Sequence, residues 1–543
     1  MMNSKVNVPK PSNEPVLAYR PGSPEKAALK AQLKAMLGET MEFPLIIGGE
    51  EVRTGDLAEC RCPHDHQHLL ARYHKAGPEE IELAVQAAHK AWKDWSEMDW
   101  VSRASVFLKA AELLATKYRH ILNAATMLGQ SKTAHQAEID SACELIDFYR
   151  FNPYYMTQIY AQQPDSSPGT WNYMEYRALE GFVFAVTPFN FTSIAGNLPT
   201  SPAMMGNVVL WKPASSAVYS AFFLTQLWKE AGLPDGVINF IPGPGRYVGD
   251  PVLEKESLAG VHFTGSTSTF QSMWMTVGKN IKNYRSYPRI VGETGGKDFV
   301  FVHASADVEA VVTALVRGAY EYQGQKCSAA SRAYFPDLLW PDLKTSLIDK
   351  IKTIKMGDVT DFTNFMGAVI DKPAFDSIVE YIEYAKSSPD ADVLVGGGYD
   401  DSKGYFIEPT LVQVTNPRHR LMEEEIFGPV LTVYVYPEKE YTRTLELCDT
   451  TSPYGLTGAI FATDRKAIRE AFLALRHAAG NFYINDKPTG AVVSQQPFGG
   501  ARGSGTNDKA GSYLNLLRWV SARAVKENLN PPKDYRYPFL EEK

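Results

Sequence analysis

One thiol stands in a stretch whose composition suits covalent chemistry, Gly324-Gln325-Lys326-Cys327-Ser328-Ala329-Ala330-Ser331-Arg332. Apolar residues at helical spacing predict a buried helix over residues 307–322, and the pattern ends at Gly324. Cys327 is therefore predicted to lie in the following loop, where a substrate can reach it. Lys326 beside it should favour the thiolate, the form that attacks carbon. The alternative is that Cys327 is an ordinary small buried residue.

A carboxylate and an amide elsewhere in the chain are candidates to act on the same carbonyl group. Glu293 lies in Val291-Gly292-Glu293-Thr294-Gly295-Gly296-Lys297, where glycines let backbone and substrate approach closely. We interpret it as a general base, with a solvated loop glutamate as the alternative. Asn190, between Phe189 and Phe191, could donate to a developing oxyanion or merely hold a turn.

The stretch from Leu179 to Glu293 alternates apolar strands with helical segments. Strands are predicted at residues 181–187, 208–211, 237–241 and 260–264, with helices at residues 217–231 and 267–277. This alternation predicts a doubly wound parallel sheet with helices on both faces. Ligands of such sheets bind beyond the carboxyl ends of the strands.

The loops at those carboxyl ends favour a dinucleotide. Gly265-Ser266 follows a strand and opens a helix, so backbone N–H groups and the helix dipole could meet a phosphate. It is not the full G-x-G-x-x-G fingerprint, and a plain tight turn is the alternative. Lys212 ends another strand, in position for a ribose hydroxyl or a phosphate. No acidic residue follows Lys212 closely, so the pattern gives no firm preference for NAD over NADP.

Composition describes a globular protein of more than one domain. Its 543 residues exceed what one core usually serves, and 44% are hydrophobic and 22% charged, as in ordinary globular proteins. A net charge of −7 without a long basic run argues against a nucleic-acid surface.

The longest apolar run, near residues 179–191, is too short to cross a bilayer. The five cysteines suit a reducing compartment, and the spacing within residues 60–68 fits zinc poorly, so we predict no metal.

Five motifs together resemble the aldehyde dehydrogenase superfamily, in family order and at family-like spacings. They are Pro188-Phe189-Asn190-Phe191, Glu293-Thr294-Gly295-Gly296-Lys297, Gly324-Gln325-Lys326-Cys327, Glu425-Ile426-Phe427-Gly428-Pro429 and Pro497-Phe498-Gly499-Gly500. The match covers nearly all of the chain from about residue 40. Residues 485–490, 494–502 and 504–509 more narrowly resemble a branch of the family that oxidises L-glutamate 5-semialdehyde.

The resemblance implies an α/β fold with a Rossmann-type doubly wound dinucleotide domain, an α/β catalytic domain and a β-hairpin oligomerisation arm. We predict an NAD-binding domain over residues 1–157 and 180–295, a catalytic domain over residues 296–505, and the arm and C-terminal tail over residues 158–179 and 506–543. In this family the arm and a terminal strand, here near residues 516–526, join subunits. We therefore expect a homodimer or larger homo-oligomer, with no nucleic-acid partner and no membrane insertion.

The same resemblance assigns roles to individual residues. The catalytic residues are Cys327, Glu293 and Asn190. The NAD-binding residues are Thr187, Lys212, Gly265, Ser266, Thr267, Ser268, Thr269 and Glu425. The substrate-binding residues are Ser328, Gly490, Ala491, Phe191 and Phe498. Ala491 stands where some relatives have serine, so a hydroxyl contact is lost there.

The implied reaction proceeds through a covalent intermediate. The Cys327 thiolate attacks the aldehyde, while the Asn190 amide and the Cys327 N–H hold the oxyanion. Hydride passes to NAD, and Glu293 then activates water to release L-glutamate from the thioester.

Family-like sequence begins by about Asn13, so we expect a cytoplasmic protein, or one of the mitochondrial matrix if the chain is a processed eukaryotic form.

Three alternatives stay open on the sequence. The first is an aldehyde dehydrogenase for another small anionic aldehyde, such as succinate semialdehyde. The second is a CoA-acylating dehydrogenase, against which the presence of Glu293 argues. The third is a non-catalytic NAD-binding protein of the same fold, which intact Cys327, Glu293 and Asn190 disfavour.

Overall fold

In the computed structural model, which describes residues 6–542, residues 6–23 contain no helix or strand and precede the first helix. That helix, Pro24–Leu37, begins where the Ser23 hydroxyl accepts a hydrogen bond of 3.3 Å from the Lys26 N–H, as an N-cap does. The residues before this helix lie against the helical region described next, where the N–H groups of Glu14 and Leu17 donate to Asp147 and Glu138.

Residues 78–160 form a mostly helical region. Its helices are Pro78–Glu97, Trp100–Ala115, Arg119–Gln130, Ala134–Ala137, Glu138–Glu144 and Leu145–Tyr160. Glu138–Glu144 is a stretch of π-helix, a rare form that often occurs at functional sites. The apolar face of the last helix stays buried as far as Ile159.

The first large sheet has seven strands and confirms the predicted doubly wound architecture. In spatial order they are Arg289–Glu293, Leu258–Thr264, Phe182–Val186, Val208–Lys212, Ile238–Phe240, Leu45–Ile47 and Glu50–Val52. The first five run parallel, and each of the last two pairs antiparallel with the strand before it. Four of the parallel strands lead into helices, which are Thr192–Met204, Val218–Ala231, Gly245–Leu253 and Thr267–Lys279. Pairing of Val186 with Lys212 and of Thr264 with Glu293 aligns four carboxyl ends at one edge.

The second large sheet also has seven strands and forms the α/β unit predicted after residue 295. In spatial order they are Ala391–Val395, Thr410–Val414, Val430–Tyr436, Ala330–Pro336, Asp298–Val302, Thr457–Phe461 and Asn481–Ile484. Only the first strand is antiparallel to its neighbour. Its helices are Val308–Tyr320, Trp340–Lys352, Lys372–Ser387, Arg420–Glu423, Tyr441–Thr451 and Arg465–Ala474. Apolar cores cover both faces of this sheet.

The arm is a two-stranded sheet, but it is not the local hairpin predicted over residues 158–179. Thr170–Arg177 pairs antiparallel with Ser521–Asn528, so the second strand comes from the C-terminal segment. The terminal strand expected near residues 516–526 begins later, because the helix Tyr513–Leu517 occupies the start of that stretch and Leu516 is completely buried in the core. The pairing strand begins just after it.

The remaining strands form small sheets. Met41–Phe43, Asp65–His74 and Leu57–Cys62 make one of three strands, and the two-stranded sheets pair Tyr399–Asp400 with Phe406–Ile407 and Tyr454–Gly455 with Ala501–Arg502. Cys60 and Cys62 are buried there, and within residues 6–542 no three His, Cys, Asp or Glu side chains are grouped as metal ligands. Over the same residues, no helix combines the length and apolar character needed to span a membrane.

Candidate active site

The loop that carries Cys327 is held in a strained conformation. After the helix Val308–Tyr320, the residues Tyr322, Gln323 and Gly324 all have left-handed backbone angles, with φ of 52°, 54° and 66°. A β-carbon on Gly324 would lie 2.2 Å from the Gly428 carbonyl oxygen, so only glycine fits. Strain of this kind persists only where the surroundings fix it, and it is typical of active sites.

Buried side chains supply that fixation. The Gln323 amide donates to the carbonyl oxygens of Ser131 at 3.0 Å and Ala368 at 2.7 Å, and its oxygen accepts from the Gly367 N–H at 2.9 Å. The Gln325 side chain accepts from the Ile370 N–H at 3.0 Å. The loop is thereby attached to both the helical region and the segment before the helix Lys372–Ser387, and Cys327 stays partly exposed.

Cys327 lies where two cavities meet. A large cavity of about 590 Å³ opens at the carboxyl edge of the first sheet, and a small cavity of about 280 Å³ lies against the helices of the N-terminal region. The Cys327 side chain lines both. A group bound in one cavity can therefore react with a group bound in the other across this thiol.

The large cavity collects seven of the eight residues predicted to bind the cofactor. They are Thr187, Lys212, Gly265, Ser266, Ser268, Thr269 and Glu425. Thr267 does not line it, and its hydroxyl instead donates to the Thr294 hydroxyl at 3.1 Å. Arg246, which the sequence did not single out, also lines this cavity.

The polar groups of the large cavity suit a dinucleotide. Ser266 caps the helix Thr267–Lys279 by accepting from the Thr269 N–H at 3.3 Å, so the helix N-terminus faces the cavity. The Lys212 ammonium is buried, which lowers its pKa to about 8, and it donates to the Pro213 carbonyl at 3.1 Å. Its remaining donors have no partner among residues 6–542 and suit ribose or phosphate oxygens.

Glu425 lines the large cavity, as Cys327 does. Its carboxylate accepts a 2.9 Å hydrogen bond from the Gly296 N–H, and a β-carbon on Gly295 would be 2.0 Å from one of its oxygens. Burial raises its pKa to about 7, with opposition from the Gly296 hydrogen bond and the Lys297 charge. A ribose hydroxyl beside Cys327 would find an acceptor here.

Asn190 shares the large cavity with Cys327. Its amide donates to the Gln325 carbonyl oxygen at 3.1 Å, which fixes it beside the loop two residues before the thiol. The backbone before it is anchored as well, since the Gln130 amide donates to the Phe189 carbonyl at 2.5 Å. The structure therefore brings the predicted amide and thiol together.

Glu293 ends the strand next to the large cavity but lines neither cavity. Its carboxylate accepts from the Gly500 N–H at 2.9 Å, and β-carbons on Gly499 and Gly505 would lie 3.0 and 3.2 Å from its oxygens. Burial raises its pKa well above the ordinary value, while the hydrogen bond and the Lys509 charge oppose that rise. To reach a group on Cys327, this side chain must rotate from its glycine-lined position.

The charges near Cys327 contradict the predicted effect of Lys326. Lys326 turns away to pair with Glu321 at 3.3 Å. The pKa of the Cys327 thiol is raised, first by burial and then by the carboxylates of Asp298, Glu425 and Glu293. The thiol is therefore protonated at neutral pH, and the expectation that Lys326 favours the thiolate is wrong.

We expect alkylation of Cys327 to be strongly pH-dependent. Because iodoacetamide reacts with the thiolate, its rate constant should rise about tenfold per pH unit between about pH 7 and pH 9, without a plateau. The enzyme is incubated with iodoacetamide in the absence of cofactor and substrate, and the activity that remains is then assayed. Mass spectrometry assigns the alkylated cysteine. A plateau below about pH 8 would instead indicate a thiol of lowered pKa.

The small cavity contains all five residues predicted to bind substrate. Ser328, Gly490, Ala491, Phe191 and Phe498 line it. The hydroxyls of Ser328 and Thr489 are 2.8 Å apart, and Gly490 has a φ of 93° that suits glycine. The residues 487–496, called the carboxylate loop below, form one wall.

Several residues of the small cavity were missed by sequence reasoning. Its opposite wall comes from the π-helix and the helix after it, with Glu144 among the lining residues. Burial and the nearby Asp140 raise the Glu144 pKa to about 8. Asp140 is itself completely buried, 2.7 Å from Lys132. Acidic residues in an otherwise apolar helical pattern were the signal that could have revealed this wall.

Comparison with known proteins gives consistent matches over the full chain. A model described as "Aldehyde dehydrogenase family" matches residues 51–524. The Dictyostelium discoideum protein named delta-1-pyrroline-5-carboxylate dehydrogenase, mitochondrial, is 53% identical over 540 residues, covering 99% of this chain and 97% of that protein. The human protein of the same name is 49% identical over 533 residues, covering 98% and 95%. A Mycobacterium tuberculosis Delta-pyrroline-5-carboxylate dehydrogenase structure bound with NAD superposes with a TM-score of 0.96 at 51% identity, covering 100% of both chains.

Proposed function

This chain belongs to the aldehyde dehydrogenase family, and from that premise we propose that it oxidises L-glutamate 5-semialdehyde to L-glutamate with NAD. The semialdehyde is in equilibrium with Δ1-pyrroline-5-carboxylate, the compound named in the relatives. The observation that carries the proposal is the position of Cys327, which lines one cavity suited to a dinucleotide and another suited to a small acid. The reaction is the second step of proline degradation.

We propose NAD as the occupant of the large cavity. The helix N-terminus at Ser266 suits the pyrophosphate, while Lys212 and Glu425 suit the ribose hydroxyls. When bound there, NAD would accept the hydride that leaves the substrate carbon. The structure of the relative that carries NAD matches this chain over its whole length, which supports the choice.

The chemistry of the chain's own residues follows from their geometry. Cys327 loses its proton to solvent water and attacks the aldehyde carbon, and the oxygen becomes an anion held by the Asn190 amide and the Cys327 N–H. Departure of hydride leaves a thioester on the sulfur. Glu293 rotates from Gly500, takes a proton from water, and the resulting hydroxide displaces the sulfur as glutamate forms. One aldehyde, one NAD and one water thus give one acid, one NADH and two protons.

The small cavity offers complementary groups for both charges of the substrate. Backbone N–H groups at Gly490 and Ala491, together with the Ser328 hydroxyl, are positioned to take the carboxylate. Ala491 contributes no hydroxyl, so the Ser328–Thr489 pair carries that part of recognition. Across the cavity, Glu144 supplies a carboxylate for the ammonium, whose charge would favour its ionised form.

A substrate panel tests this assignment against succinate semialdehyde, which has no ammonium. We expect a higher kcat/KM for glutamate semialdehyde, and Glu144→Gln should raise its KM about tenfold because a charge-assisted contact is lost. The KM for succinate semialdehyde should stay within about twofold. A wild-type preference for succinate semialdehyde would overturn the assignment, and turnover without added CoA excludes the acylating reaction.

We propose a homo-oligomer assembled through the arm, in a reducing compartment, either the cytoplasm or the mitochondrial matrix. The two-stranded arm has Trp171 58% exposed, an unusual surface for a side chain of that size. All five cysteines are free, in keeping with a reducing compartment. Light scattering should give at least twice the 60.3 kDa chain mass, and a monomer mass would contradict this.

A further inference from the structure

The segment Asn13–Tyr19, called the N-terminal segment here, forms part of the small cavity. Asn13, Glu14 and Val16 line it between the π-helix and the carboxylate loop. Along the sequence, the next residue that lines this cavity is His135, more than a hundred positions later. A chain segment so placed can determine how far apart the two walls of the cavity stand.

Asn13 bonds to both walls with its whole amide group. Its nitrogen donates to Asp147 at 2.8 Å and to the Val493 carbonyl oxygen at 2.9 Å. Its oxygen accepts from the Gln495 side chain at 2.9 Å. Asp147 belongs to the helix Leu145–Tyr160, whereas Val493 and Gln495 belong to the carboxylate loop. One side chain therefore connects the loop to the helix.

The rest of the N-terminal segment is attached to the helical region. The Glu14 carboxylate lies 2.6 Å from both Arg119 and Arg150, and the Glu14 N–H donates to Asp147 at 2.8 Å. The Leu17 N–H and the Tyr19 hydroxyl donate to the completely buried Glu138 carboxylate, at 2.8 and 2.7 Å. The segment is thus a fixed support, and movement of the carboxylate loop requires breaking the bonds of Asn13.

We propose that Asn13 is a positioning residue that sets the distance of the carboxylate loop from Cys327 and so determines selectivity for aldehydes that carry a carboxylate. The inference rests on the proposed function, because it takes Gly490 and Ala491 as the groups that bind that carboxylate. Ala491 offers only its backbone, so binding there depends on where the backbone stands. A neutral aldehyde of similar length makes no use of the loop's N–H groups.

The test compares glutamate semialdehyde with pentanal in steady-state assays of three full-length variants. Asn13→Asp keeps the shape, removes both N–H donors and places a second carboxylate against Asp147, so it should raise KM for the semialdehyde about tenfold or more. For pentanal, kcat/KM should stay within about twofold. Asn13→Asp combined with Asp147→Asn restores the donor–acceptor pair with residue 147 but not the bond to the Val493 carbonyl, so it should recover part of the lost affinity. Asn416→Asp, the same change on an exposed turn, is the matched control.

Two results would overturn the inference. The first is an unchanged KM for the semialdehyde in Asn13→Asp, and the second is an equal loss with both aldehydes that the double variant does not recover. Thermal unfolding of each variant separates lost folding from lost positioning. A wild-type enzyme that oxidises pentanal but not glutamate semialdehyde would instead refute the proposed function, so the two failures are distinguishable.

Discussion

Cys327→Ala should abolish aldehyde-dependent NADH formation, with a loss of about 10⁴-fold or more in kcat/KM. The reason is that the covalent route disappears, whereas the cavities and the Asn190 amide remain. The measurement is NADH absorbance with pyrroline carboxylate and NAD, together with NAD binding by fluorescence. Binding should be retained, because the predicted cofactor groups are unaltered.

Cys448→Ala is the matched control for that experiment. Cys448 is completely buried on the helix Tyr441–Thr451, and it lines neither the large nor the small cavity. Its activity should remain within about twofold of wild type, although some stability is lost. Substantial activity in Cys327→Ala would contradict the mechanism and would direct attention to Cys143, the other cysteine that lines the small cavity.

Glu293→Gln should separate the two halves of the reaction. Without a base to activate water, the enzyme should release about one NADH per subunit in a rapid burst, because the hydride step does not need Glu293. Steady turnover should then fall about 10²–10⁴-fold. Stopped-flow absorbance measures the burst, and a conventional assay measures the slow phase.

The glutamine keeps the acceptor that bonds to the Gly500 N–H, so the loop around it should be preserved. Glu144→Gln serves as the control, because it makes the same chemical change at the other end of the substrate and should show no burst. Loss of the burst together with turnover in Glu293→Gln would mean that this carboxylate acts before the thioester forms. That outcome would contradict the assigned role.

The fold was predictable where periodicity is local. The strands around 182–186 and 208–212 were placed within a residue or two, because apolar runs ended at glycine, proline and lysine. The pairing in the arm was not predictable from the sequence. The partner of Thr170–Arg177 is Ser521–Asn528, and pairing between distant segments leaves no local pattern. The start of the terminal strand was predicted too early for a related reason, because Leu516 and Trp519 are buried in the core, with Trp519 packed against Gly260.

The site was predictable by residue type but not by side-chain direction. Cys327 and Asn190 were recognised from their motifs, and the structure places both on one cavity. The pairing of Lys326 with Glu321, and the turn of Glu293 toward Gly500, depend on three-dimensional neighbours. Asn13 was missed as a cavity residue because its partners lie over a hundred residues away. The roles of these residues, and the domain limits near residue 295, remain predictions.

In the proposed reaction the substrate carbon becomes covalently attached to the Cys327 sulfur. Mass spectrometry of Glu293→Gln, quenched in acid during the burst and digested, tests it most directly. We predict one glutamyl group on the peptide that contains Cys327, in amounts matching the NADH released. NADH release with that peptide unmodified, or with the adduct on another cysteine, would contradict the account.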